Sequence, residues 1–186
     1  MSTIVKLRPW TLADLNALCK YGNNPNVANN LMNRFPHPYT WDKGMEFISN
    51  ISKQNPREVL AIEYKSQAIG AIGLHPQEDI FFKNAELGYW IAEDFWGKGI
   101  MKSTIQLMLD YAFSNFDFER IFARPFGRNL ASQKVLEKCG FTLEAKLYKT
   151  IFKNNQYEDE WIYSMRRENY SELKLESQSQ INSSRT

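Results

Sequence analysis

The sequence predicts one mixed α/β domain, and three observations carry that prediction. Two β-like runs, residues 58–64 and 68–74, are joined by Lys65-Ser66-Gln67, a hairpin signal. An apolar run at residues 87–92 passes through Gly97-Lys98-Gly99 into a long amphipathic segment, residues 100–116. Within that segment Ile100, Thr104, Leu107, Met108, Tyr111 and Ala112 recur at helical spacing. The order of runs, β, helices, hairpin, then β–α–β–α–β–β, predicts a sheet with helices on its faces. At 186 residues the chain is the size of one domain with a substantial core.

Local signals set each element. Residues 4–7 alternate weakly and read as a first strand. Thr11 caps a helix reaching Tyr21, with Asp14 reciprocating in a capping box. Leu12, Leu15, Leu18 and Cys19 form its expected buried stripe, and Gly22 ends it. Asn24-Pro25 restarts a short helix, a cap followed by proline at the first position. After the Phe35-Pro36-His37-Pro38 break, a helix over residues 41–53 turns Met45, Phe47, Ile48 and Ile51 inward. Gly70 and Gly73 in the hairpin mark a bulge or a close backbone approach. Residues 85–92 form the next strand and residues 120–124 a short one, on either side of the long helix. Asn129 caps a helix ending at Gly140, and residues 141–152 and 157–165 make two last strands around Lys153-Asn154-Asn155-Gln156. The domain is expected to span residues 1–169. Residues 170–186, rich in Ser, Gln and Glu, are expected to be a disordered tail.

Composition narrows the function classes. A hydrophobic fraction of 43% and a charged fraction of 24% are ordinary for a soluble globular protein. The net charge of +2 gives no field for a nucleic-acid partner. The first eight residues lack the apolar core of a signal peptide, and no run approaches the ~18 apolar residues of a membrane span. Cys19 and Cys139 fit reduced thiols better than a disulfide framework, and His37 and His75 give a zinc site few ligands. The expectation is a cytoplasmic protein with no metal and no nucleic-acid or membrane partner. Exposed strands or the 14% aromatic content could support a homodimer.

The glycine turn is the candidate binding element. A strand turning through glycines into a helix start leaves N–H groups aimed outward, a seat for a phosphate or pyrophosphate. A P-loop fails because Ile100 follows Gly99 where Lys is required. A dinucleotide fingerprint fails because Lys102 stands where the third glycine would fall. A coenzyme A pyrophosphate seat and a plain tight turn remain.

Four segments decide between them: residues 85–91 (AELGYWI), Phe95-Trp96-Gly97-Lys98-Gly99, Asn129-Leu130-Ala131-Ser132, and residues 136–141 (LEKCGF). With Lys153 to Glu160 (KNNQYEDE), their order and spacing resemble the GNAT superfamily of N-acetyltransferases. Within it the chain looks like the ribosomal-protein N-terminal acetyltransferases, the RimJ/RimL-like branch, over residues 4–168. The resemblance implies a central, mostly antiparallel, splayed seven-stranded sheet and acetyl-CoA as cosubstrate. It implies that the backbone of Trp96, Gly97, Lys98, Gly99, Ile100, Met101 and Lys102 wraps the pyrophosphate, and that Asn129 reaches the pantetheine arm. Trp96 replaces the superfamily's usual Gln or Arg, and Met101 its usual Gly or Ala. Lys98 and Lys102 either attract phosphate or are solvated surface lysines. Ser132, one turn after Asn129, falls on the same helix face and can share the cofactor groove.

Acetyl transfer needs a neutral amine. An α-amine lies about 2.5 pKa units below a lysine, roughly 3 kcal/mol, so it asks less of a base. Glu86 is the candidate base: alternation puts it on one strand face with Gly88 and Trp90, and apolar neighbours raise a carboxylate's pKa. The resemblance also implies an acidic residue here; the alternative is a surface glutamate in a salt bridge. Backbone N–H groups of Ile91 and Ala92 are candidates to polarise the thioester oxygen. Leu136 stands where many members offer a tyrosine acid, which leaves Ser132 as a substitute or bulk water. Asn33, Arg34, Trp41, Tyr157, Glu158 and Asp159 are expected around the acceptor mouth. The reading is direct acetyl transfer to a primary amine, a protein N-terminus by the branch resemblance. A polyamine, amino acid or aminoglycoside, and a non-catalytic acyl-CoA sensor, are the alternatives.

Overall fold

The computed structural model describes residues 5–183, so Ile4 of the expected first strand lies outside the described residues. Strands are β1 (Lys6–Arg8), β2 (Val59–Tyr64), β3 (Gln67–Pro76), β4 (Asn84–Ile91), β5 (Arg120–Ala123), β6 (Thr142–Lys153) and β7 (Gln156–Arg166). Helices are α1 (Leu15–Gly22), α2 (Pro25–Ala28), α3 (Trp41–Ile51), α4 (Ile100–Asn115), α5 (Leu130–Lys138) and α6 (Arg167–Ser183). The strands form one seven-stranded sheet in the order β1-β2-β3-β4-β5-β7-β6. Every neighbouring pair is antiparallel except β4 and β5.

Two apolar cores bracket the sheet. One gathers Ile62, Ile69, Ile72, Leu74, Ile105, Met108, Leu109 and Leu136, all essentially inaccessible. Each such side chain contributes roughly 1.5–3 kcal/mol on burial. The other packs α1 and α3 on the sheet through Trp10, Leu15, Leu18, Ile48 and Ile51. Gly70 is a close approach: a Cβ there would lie 2.2 Å from the Trp90 carbonyl oxygen.

Three expectations are corrected. Leu12 is 67% exposed, because a 3-10 turn over Leu12–Asp14 precedes α1 and breaks the helical stripe. The turn is held by the Thr11 N–H donating to Asp14 Oδ2 at 3.0 Å. Met45 is exposed, because Gly44, Ile48 and Ile51 set the inward face of α3 and Gly44 lies against Leu15. The expected disordered tail is instead α6 over its described residues. Two side chains anchor its first turn: the Arg167 guanidinium donates to the carbonyls of Phe113, Phe116 and Phe118 at 2.7–2.9 Å, and the Tyr170 hydroxyl donates to Asp110 at 2.6 Å.

The outer strands differ. β1 has three residues, while β6 has twelve and slips register near Lys149, whose φ is +55°.

Candidate active site

The parallel pair β4–β5 is joined only at Asn84–Arg120, Ala85–Ile121 and Glu86–Phe122. Past Glu86 the two strands part, and a cleft of about 1330 Å³ opens along the C-terminal half of β4. Its walls come from β4, the turn into α4, the first turns of α5, and the loop between α2 and α3.

The turn holds Gly97 at φ +72° and Gly99 at φ +74°, both left-handed, and Gly99 caps the N-terminus of α4. A Cβ at either glycine meets nothing within 4 Å. Conformation, rather than crowding, therefore selects glycine, and the space before the helix start is open. Helix α4 follows with 16 residues, so its first amides face that space with the positive end of the dipole. Met101 packs against the core and also lines the cleft. The Trp96 indole Nε1 donates to the Ile91 carbonyl at 2.8 Å, which ties the turn to the end of β4. Lys98 Nζ donates to the Asp94 carbonyl at 2.7 Å, while Lys102 stays exposed on α4.

Antiparallel alternation separates the two amides expected to face the thioester. The Ala92 N–H donates to the Ile69 carbonyl at 2.8 Å, so Ala92 is engaged with β3 and its expected role is withdrawn. Ile91 pairs with Gly70 in the adjacent, non-hydrogen-bonded register, and its N–H points away from β3 into the parting of the strands. Ile91 lines the cleft; Ala92 does not.

Asn129 lines the cleft and caps α5 by accepting the Ser132 N–H at 3.1 Å on Oδ1, and its Nδ2 is unclaimed among the described residues. Ser132 Oγ lies 2.7 Å from the Tyr89 hydroxyl. Burial raises the Tyr89 pKa well above its ordinary value, against the hydrogen bond to Ser132, so the phenol stays protonated. Sequence reading missed this partner: 43 positions separate the two residues, and only the facing of β4 and α5 joins them. Leu136 is fully buried in the core.

Glu86 lines the cleft, and its carboxylate accepts no hydrogen bond among the described residues. Burial raises its pKa; Arg124 and Arg34 pull it down, and Glu160 pushes it up. His75 sits opposite Glu86 on β3, and burial with Arg34 nearby keeps its pKa low. Glu160 is buried and accepts from Arg124 Nε at 2.8 Å. This cluster draws on three strands and two loops, and no spacing in the chain announces it. Of the expected mouth residues, Asn33 and Arg34 line the cleft, whereas Trp41, Tyr157, Glu158 and Asp159 do not. Glu158 pairs with Arg128 at 2.7 Å, and Asp159 accepts the Lys149 N–H at 2.9 Å.

A profile described as an acetyltransferase (GNAT) domain matches residues 5–142. The chain belongs to the GNAT acetyltransferase family. Structures similar to it are titled as complexes with coenzyme A or acetyl-CoA. The ribosomal-protein-serine acetyltransferase of Escherichia coli (strain K12) is 29% identical over 100 residues, 54% of this chain and 55% of that one. The spermidine N(1)-acetyltransferase of Vibrio cholerae serotype O1 is 26% identical over 161 residues, 86% of this chain and 91% of that one. Two Bacillus subtilis relatives at 33% identity are spanned over only about half their length, 55% each. Among solved GNAT structures, RimL, a ribosomal L7/L12 alpha-N-protein acetyltransferase in complex with coenzyme A, superposes with a TM-score of 0.77. That similarity covers 89% of this chain and 95% of RimL at 22% identity, a likeness of fold.

Proposed function

We propose that this GNAT protein transfers acetyl from acetyl-CoA directly to the α-amine of a protein N-terminus, with Glu86 as base. The observation that carries the reading is Glu86 itself, a half-buried carboxylate with a raised pKa, unclaimed by hydrogen bonds, on the cleft wall that the strands open. The residues fit the cosubstrate. Open left-handed glycines, the first α4 amides, Nδ2 of Asn129 and the outward N–H of Ile91 suit a pyrophosphate, an amide-bearing arm and a carbonyl oxygen in turn. When bound, acetyl-CoA supplies a thioester, an acyl carbon open to attack. Glu86 takes the proton that the amine loses as the C–N bond forms. As the C–S bond breaks, Ser132 gives a proton to the departing sulfur and regains one from bulk water, while the 2.7 Å contact with the Tyr89 hydroxyl holds Ser132 Oγ in place. The reading assigns the reaction to the cytoplasm, in keeping with two buried free thiols, Cys19 and Cys139.

The protein-amine reading draws support from the ribosomal-protein relatives, and the spermidine acetyltransferase relative favours a polyamine as second reading. Thiol release from acetyl-CoA, measured with spermidine and with peptides beginning in Ser, Ala or Met, separates them. Peptides are expected to turn over, and Glu86→Gln to lower kcat by about 100-fold while acetyl-CoA binding persists. Preference for spermidine, or full activity in Glu86→Gln, overturns the corresponding half of the reading. Binding with no turnover on any amine supports a sensor instead.

A further inference from the structure

Among the described residues, two cations in the acceptor half of the cleft, Lys153 and Arg34, have no carboxylate partner, and of the two only Arg34 has its donors unclaimed. Lys43 Nζ meets Glu46 at 3.1 Å, and Arg124 meets Glu160 at 2.8 Å. Lys153 Nζ donates to the Leu31 carbonyl at 2.6 Å and to Asn33 Oδ1 at 3.3 Å. Arg34, on the loop between α2 and α3, makes neither a hydrogen bond nor an ion pair among the described residues. It is exposed, lines the cleft, and lies close enough to Glu86 and His75 to act on the charge of both. Glu86 stands beyond ion-pair distance of Arg34 and does not claim its donors.

These pairings set the sign of what the cleft accepts beside the amine. A polyamine brings further cations to a cleft whose other carboxylates, Glu46 and Glu160, already hold Lys43 and Arg124. A guanidinium with its donors unclaimed matches a carboxylate, which it can bind through two parallel hydrogen bonds.

We propose that the acceptor carries a carboxylate within one or two residues of its reacting α-amine, and that Arg34 binds it. The inference rests on the α-amine reading above and narrows it to N-termini with acidic residues directly after the first. The carboxylate of a free amino acid offers the same chemistry, so the test separates the two sources. Arg34 acts here as a specificity residue on substrate, distinct from the proton transfers at Glu86 and Ser132.

The experiment compares kcat/KM for two amidated peptides, Ser-Asp-Asp-Ala and Ser-Asn-Asn-Ala, and for serine against serinamide. Wild-type protein is expected to prefer the acidic peptide by about tenfold at low salt, mainly through KM, and less at high salt. Arg34→Gln is expected to bring that ratio near one, and Arg34→Glu to take it below one. Arg34→Lys, which keeps the charge and loses the fork, is expected to retain part of it. Any effect of these variants on Glu86 moves both peptides together and cancels in the ratio. A wild-type ratio of one, or an unchanged ratio in Arg34→Gln, overturns the inference and leaves α-amine acetylation standing. A preference confined to serine over serinamide overturns the peptide and retains the carboxylate. Turnover of no α-amine substrate overturns both readings together.

Discussion

Glu86 gains its basicity from opposed influences. Burial raises its pKa above the ordinary 4.5, while Arg124 and Arg34 hold the rise in check. A base must be deprotonated, so kcat/KM is expected to fall as pH drops through that raised value. Removing either guanidinium removes a stabiliser of the carboxylate, which pushes the pKa further up. The acid limb of the pH–rate profile of Arg34→Gln is therefore expected to move to higher pH than in wild type. A limb that stays in place, or moves down, contradicts the role of Glu86 as the titrating group. The sequence made Glu86 conspicuous because it is a carboxylate between apolar residues and glycine. Its regulators were hidden, because Arg34, Arg124 and Glu160 come together only through the sheet order.

At the scale of elements, the turn from β4 into α4 was legible because glycine chemistry is local. Gly97 and Gly99 adopt positive φ, which side chains with a Cβ resist by roughly 1–2 kcal/mol. Replacing Gly99 with Val, which is also β-branched, is expected to weaken acetyl-CoA binding by about tenfold or more. It should cost stability by about 1–2 kcal/mol, and calorimetry beside a urea titration separates the two effects. Equal affinity in a folded Gly99→Val protein would detach the turn from the cosubstrate. The hairpin of β2 and β3 was legible for the same local reason. The parting of β4 from β5 was implied only by the family resemblance and not by local signals, since it depends on where a three-residue ladder stops. Ala92 shows the same limit: its amide is engaged because of strand register, which its own neighbours in the chain do not reveal.

Across the whole molecule, α6 shows how a segment poor in large apolar residues still joins the fold. Arg167 closes three carbonyls at the end of α4 and in the loop that follows, and Tyr170 packs on Phe113 at 5.2 Å. Truncation after residue 169 strips the Tyr170 contacts and is expected to lower stability by about 1–3 kcal/mol, or roughly 3–10 °C in Tm. Truncation after residue 176 keeps them and is expected to be close to neutral. Thermal melts of both forms check this, and equal melting points would show that the docking of α6 contributes nothing. Composition pointed the other way because it counts apolar residues; two anchoring side chains in the first turn outweigh that count here.

The two rims of the sheet bear on how copies of the protein meet one another. One rim is three residues long, and the other is interrupted at a left-handed lysine and carries Lys146, Lys149 and Lys153. Neither offers a straight row of free amides and carbonyls for a neighbouring chain to zip onto, and stacked lysines would repel. Concentrated protein is thereby expected to resist edge-to-edge growth into fibrils, a protection written into its borders rather than its centre.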